Sequence, residues 1–311
     1  MLRFISKIIL KQLVIMRIFD CFMYFDEEIV LDTRLNYLDQ YVDYFVIVES
    51  CFTHRGDKRD LRFDIKKFNK FKNKIIYKVY DQIPDKIQKV YDNDDESTKS
   101  YKYIMNALYR ENGQRNHISE GIKEAQEDDI ILVSDVDEIP NLSNIDIKKI
   151  KEKIILFKQD MFYYKFNLKL PNMEWTGTKA CKKKNFISAQ WLRNIKDRKY
   201  PFFRIDTVFS EKKFISVNII NDGGWHFSNI KSAEEIELKL KSYLHHREFD
   251  LEPLDTEGIK KIMENRQAIY DLRVDKTVNK IGSGDKLEKY NIEKLPDVIK
   301  LNLNKYKQWL D

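Results

Sequence analysis

The sequence predicts an α/β fold: a mostly parallel central sheet flanked by helices. Three observations lead there. Residues 44–48 and 130–133 are continuous apolar runs rich in strand formers, as expected of strands covered on both faces. Helical patterns separate the runs, and strands that alternate with helices pair in parallel. Acid-bearing polar segments come directly after both runs, at the strand ends where such sheets hold ligands.

The first element, residues 17–22, reads as a short buried strand. Residues 27–41 read as a helix, with Ile29, Leu31, Leu35 and Leu38 at i, i+3/i+4 spacings. The strand at 44–48 comes next, and 74–79 repeats its pattern. Residues 85–100 are polar and acid-rich, a surface loop leading into a helix over 101–126 that ends in Asp128-Asp129. After the strand at 130–133, residues 161–166 and 214–217 are strand-like. Residues 233–247 and 257–272 are helical in pattern, and a polar tail ends in 303–310. With no repeat and no Gly/Ser linker, residues 16–311 read as one domain with a helical elaboration from about 232.

Composition sets limits on function. The chain has 311 residues, 42% hydrophobic and 34% charged, with 19 Phe and 17 Tyr, too much apolar surface for a disordered chain. A net charge of +6 spread over that length is a mild bias toward anionic ligands and does not mark a nucleic-acid binder. Cys21, Cys51 and Cys181 form an odd set with no CxxC spacing. That argues against a disulfide framework and a structural zinc, and for a reducing, cytoplasmic setting. Residues 4–16 are apolar but short and broken by Lys7 and Lys11, whereas a membrane span needs about 20 apolar residues. Residues 1–15 are read as an N-terminal extension packed on the domain or preceding a true start at Met16, with a peripheral membrane anchor as the alternative.

Four segments carry candidate chemistry. Asp135-Val136-Asp137 comes after a buried strand. Two carboxylates one residue apart diverge enough for one to ligate a hard divalent cation while the other bonds a ribose or supports the metal shell. Such an ion between two phosphates neutralises charge on a departing nucleoside diphosphate; the alternative is a polar turn with Asp137 and Glu138 capping the next segment. In Gly223-Gly224-Trp225-His226, the glycines let backbone approach a ligand and His226 is a metal-ligand candidate, against a hydrogen-bonded core histidine. The stretch from Glu49 and Ser50 through Thr53, His54 and Gly56 to Arg59 suits a nucleoside diphosphate, against an ordinary charged loop. Arg115, on the helix before Asp135, reaches a phosphate or clamps the acidic pair, against a solvated helix face.

Taken together, these segments resemble glycosyltransferase family 17, which contains the β-1,4-mannosyl-glycoprotein N-acetylglucosaminyltransferases. The resemblance runs through Asp20 to Glu27, Arg34-Leu35, Val42 to Ser50, Thr53 and Gly56. It continues through Gln114-Arg115-Asn116, Ser134 to Pro140, Trp175 to Thr178 and Gly224 to Ser228, in order over about residues 17–250. It implies a GT-A-type nucleotide-sugar-binding fold, a UDP-sugar donor (UDP-GlcNAc), a divalent metal (Mn²⁺ or Mg²⁺), a glycan or glycoprotein acceptor and inversion at the anomeric carbon. Carried over by residue, Asp135 touches ribose or metal and Asp137 ligates the metal, with His226 against metal or diphosphate. Asp20, Glu49 and Ser50 then line the nucleoside pocket. For the base, Glu174 before Trp175 is the first candidate and Asp222 the second. The chain departs from the animal enzymes in lacking a clear transmembrane anchor and a luminal cysteine pattern.

Rival readings are weaker. A haloacid-dehalogenase-type phosphatase also carries Asp-x-Asp after a strand, but with Thr or Val where Ile139 stands, and the chain has no clear late Asp-Asp strand end. A sugar nucleotidyltransferase needs a Gly-rich loop after its first strand, and Asp20-Cys21-Phe22-Met23 offers none. A non-enzymatic polyanion-binding module would show steeply salt-dependent affinity that survives loss of Asp137.

Overall fold

A computed structural model describes residues 16–201, 207, 209–244, 246–270, 282 and 284–311. The expected elements are met best where the apolar runs are longest. There β1 (Ile18–Tyr24), β2 (Tyr44–Ser50), β3 (Ile75–Tyr80) and β4 (Ile130–Asp135) lie in the order β3-β2-β1-β4, all parallel.

The sheet continues through β5 (Glu138–Pro140), β6 (Ile154–Tyr163), β7 (Leu168–Lys182), β8 (Val217–Ile220), β9 (Gly224–Ser228) and β10 (Glu288–Lys289). These ten strands make one sheet, along the path β3-β2-β1-β4-β7-β6-β9-β5 with β8 on β6 and β10 on β7.

The sheet is therefore mixed, not mostly parallel as the sequence predicted. β7 runs antiparallel to both β4 and β6, and β5 runs antiparallel to β9. For β6 and β7 the cause is the short link between them, which turns at Tyr164 with φ 63°. A link of four residues cannot make the crossover that parallel pairing requires, so the chain folds straight back.

Helices α1 (Glu28–Leu38), α2 (Glu96–Asn116), α3 (Ile118–Gly121), α4 (Ala189–Asn194), α5 (Ala233–Ser242), α6 (His246–Leu251) and α7 (Thr256–Glu264) surround the sheet. α2 starts five residues before the predicted helix because the Asp95 carboxylate accepts from Thr98 N at 2.8 Å and caps it. It ends ten residues early, at Asn116. The predicted helix over 233–247 is two, α5 and α6. α5 opens on a capping box between Ser232 and Glu235. The predicted helix over 257–272 is α7, and the last predicted residues, like residues 1–15, lie outside the described ones. The strand predicted over 214–217 begins only at Val217.

One core packs α1 and the chain's C-terminal segment against Phe22, Phe45, Phe157 and Phe227. A second covers the opposite face through Val46, Ile131, Leu156 and Leu192. Both faces of β1, β2 and β4 are thus buried, which explains their unbroken apolar sequences. No described helix is long and apolar enough to cross a membrane.

Gly223 and Gly224 were expected to let backbone approach a ligand. Instead they let strands approach each other. Gly224 has φ 131°, and a Cβ there would sit 2.1 Å from Ile139 O on β5. Gly224→Ala is expected to destabilise the fold by about 1–3 kcal/mol, read as a shift in the denaturation midpoint; an unchanged midpoint would show that β5 and β9 can separate freely.

Candidate functional site

The carboxyl ends of β1, β2 and β4 lie level with one another, since Met23 pairs with Asp135 and Tyr24 with Glu49. A cleft of about 260 Å³ opens there, walled by residues just past these strands, by α2, by β9 and by α5. The cleft lies at the strand ends where the sequence led us to expect a ligand.

Arg34 on α1 fixes the loop after β4. Its guanidinium is fully buried and pairs with Asp20 at 2.5 Å and 2.8 Å. Its remaining N–H groups donate to Ser134 Oγ at 2.5 Å and to the carbonyls of Asp135, Val136 and Glu138 at 3.1, 3.1 and 2.8 Å. One buried cation therefore sets the path of the whole Asp135-Val136-Asp137 turn.

The two aspartates sit in different surroundings. Asp135 is held by Arg115 on α2 and Arg193 on α4, each at 3.1 Å. Burial opposes its charge, but Arg193 and Arg115 outweigh that and hold the carboxyl far below the usual range. Glu138, fully buried, braces the same cluster: it accepts from Arg193 at 2.6 and 2.9 Å, from Asp135 N at 2.8 Å and from Trp175 Nε1 at 2.7 Å. Asp137 faces His226 instead, with Oδ1 3.6 Å from Nε2, and its Oδ2 lies 3.9 Å from the Lys239 ammonium. Burial works against the charge of both partners. The attraction between them is stronger, so the Asp137 carboxyl is lowered and the His226 imidazole raised. His226 Nδ1 is buried with no hydrogen-bond partner.

Thr53, Arg115, Asp135, Asp137 and His226 all line the cleft. Thr53 Oγ1 accepts from the amides of Gly56 and Asp57, so it also shapes its own turn. Asp20, Glu49, Ser50 and Arg59 do not line it. Asp20 is taken up by Arg34. Glu49 is fully buried and accepts from Arg59, from Tyr77 Oη and from the amides of Arg62 and Phe63. Ser50 Oγ accepts from Phe52 N, and Arg59 also donates to Phe25 O and Ser50 O. These four build the walls from behind. Glu174 is exposed on β7, and Asp222 is exposed in the turn before β9 with φ 50°; neither lines the cleft.

Sequence reasoning missed Arg193, Lys239 and Glu27. Arg193 lies 58 residues from Asp135, and nothing in its local pattern marks it. Glu27 and Lys239 both line the cleft, where the Lys239 ammonium is also 3.9 Å from Glu27 Oε1. Among the described residues, no group of three or more His, Cys, Asp or Glu side chains is placed to hold a metal by itself.

Arg34→Met would leave Asp20 as an uncompensated buried charge. We expect it to cost about 3–5 kcal/mol by chemical denaturation, with Asp20→Asn in the same chain recovering part of the loss. A cost below about 1 kcal/mol, within the range of an exposed pair, would contradict the clamp.

A sequence model of glycosyltransferase family 17 matches residues 10–311, nearly the whole chain. Among curated proteins no match was found.

Proposed function

The chain belongs to glycosyltransferase family 17, and we propose on that basis that it uses a divalent metal and a UDP-sugar, with UDP-GlcNAc as the expected donor, and transfers the sugar with inversion to a glycan acceptor. The observation that carries the site reading is the Asp137–His226 pair at 3.6 Å beside the cleft. A carboxylate oxygen and an imidazole nitrogen so placed can share one small cation. Mg²⁺ and Mn²⁺ take few protein ligands and fill the rest with water and phosphate oxygens, so two donors suit them better than a closed cage. Asp137 and His226 would hold the ion. When bound, it supplies positive charge to the diphosphate as the leaving group departs.

The other side chains have separate tasks in this reading. Asp135, locked between Arg115 and Arg193, is best placed to accept a hydrogen bond from ribose while keeping its charge. Arg115 lines the cleft, and its Nε is buried without a partner. Lys239 adds a second cation facing the diphosphate side. A GT-A-type arrangement fits the parallel half of the sheet, with the donor across the ends of β1, β2 and β4. The phosphatase reading fares worse, because an aspartate gripped by two arginines is a poor nucleophile.

A panel of UDP-sugars scored for UDP release, with and without Mn²⁺, tests this. We expect turnover only with metal and loss of turnover in Asp137→Ala with its fold intact by circular dichroism; full activity in excess chelator would overturn the metal role. His226→Ala is expected to weaken UDP and Mn²⁺ binding together, whereas lower thermal stability with unchanged metal dependence would mark a packing histidine.

A further inference from the structure

A second cavity, of about 700 Å³, lies beside the cleft and shares one wall with it. Its size falls within the usual range for small-molecule sites. It is bounded by the start of α1, the turn after β9 and the C-terminal segment, and its lining includes Asp32, Phe68, Lys305, Gln308 and Trp309. Three of its acids pair with its lysines, Asp32 with Lys305, Glu28 with Lys67 and Asp26 with Lys231. Such pairs, with an amide and aromatic rings, can bind a hydroxyl-rich ring: the polar groups take its hydroxyls and the rings cover its C–H face.

Glu27 is the residue that lines both cavities. It is only 9% exposed. Its Oε2 accepts from the amides of Phe25 and Asp26 at 3.2 and 3.1 Å, which fixes the side chain. Among the described residues no hydrogen bond reaches Oε1, and the ammoniums of Lys231 and Lys239 each stand 3.9 Å from it. Oε1 is therefore held by two long ion pairs, with no donor at hydrogen-bond distance. Among the other acids in the cleft, Glu111 and Asp135 have arginine donors within 3.1 Å, whereas Asp137, like Glu27, meets its cations only at 3.6–3.9 Å. The Lys239 ammonium stands 3.9 Å from Glu27 and 3.9 Å from Asp137, so one cation lies between Glu27 and the Asp137–His226 pair.

We propose that the second cavity holds the acceptor glycan and that Glu27 Oε1 takes the proton from its attacking hydroxyl. This rests on the glycosyltransferase reading. The acceptor oxygen forms a bond to the anomeric carbon, and the bond from that carbon to the diphosphate breaks with its electron pair leaving on the diphosphate oxygen. The hydroxyl proton passes to Glu27, which returns it to solvent. Burial works against the charge of Glu27, but Lys231 and Lys239 outweigh it and hold the carboxyl below the usual range, so the group is ionised before the reaction.

The test uses the full chain with Mn²⁺, UDP-GlcNAc and a panel of soluble oligosaccharide acceptors. Glu27→Gln is expected to lower transfer by about 10²–10⁴-fold, the usual cost of losing a general base, with UDP affinity within a few-fold of the unmodified chain. Formate should restore part of the transfer in Glu27→Ala, which a merely structural carboxylate would not allow. Gln308→Trp, at an exposed position facing the cavity, should raise the acceptor KM at least tenfold and leave the donor KM alone. Normal transfer in Glu27→Gln, or transfer lost together with UDP binding, would overturn the role of Glu27. An unchanged acceptor KM in Gln308→Trp would overturn the cavity assignment. If the unmodified chain neither binds UDP nor turns over any donor, the glycosyltransferase reading itself fails, and that result is distinct from the others.

Discussion

Arg34 is the point on which the site depends. A guanidinium with no exposure can be tolerated only if every donor has an acceptor, and here Asp20, Ser134 and three carbonyls of the turn provide them. The arrangement ties α1 to β1 and to the loop after β4 at once. Removing it from water is expensive, and such pairs rarely add net stability over an apolar core. Its effect is geometric: the turn that carries Asp135 and Asp137 has one path because its carbonyls must meet one cation.

From that fixed turn the two aspartates diverge. Asp135 points toward the arginines of α2 and α4, and Glu138 braces Arg193 from behind. Asp137 points toward β9 and α5, where it meets His226 and Lys239. The antiparallel pairing of β5 with β9 sets Glu138 opposite His226 and brings the histidine to the cleft. The tight approach at Gly224 makes that pairing close. The mixed half of the sheet thus delivers His226 and Trp175, and the parallel half delivers the acidic turn and the walls of the cleft.

Charge balance organises the rest. The acids at the cleft have nearby cations: Arg115 and Arg193 at Asp135, Lys239 between Asp137 and Glu27, and Lys231 near Glu27. In a low-dielectric pocket such pairing is the condition for keeping several carboxylates ionised together. Asp20, Glu49 and Arg59 belong to the same balance. They satisfy one another or their neighbours inside the wall and leave the cleft to Thr53, Arg115, Asp135, Asp137 and His226.

The sequence by itself determined local features. Period and apolarity marked β2, β3 and β4 and the face of α1. For β2 and β4 the reason is that burial on both sides of a strand demands an unbroken apolar run, whereas β3 is half-buried at the sheet edge. The acidic turn after β4 was legible for the same reason: polar residues directly after such a run lie at a strand end. Tertiary structure decided which acids face the cleft. Glu49 and Asp20 lie beside it in sequence logic, yet long-range partners turn their oxygens inward, while Glu27 lines both cavities with its Oε1 facing two lysines. It also decided that Arg193, 58 residues from Asp135, holds that carboxylate. Neither fact can be read from spacing, because ion pairing in a folded interior is chosen by packing across the sheet and not by distance along the chain.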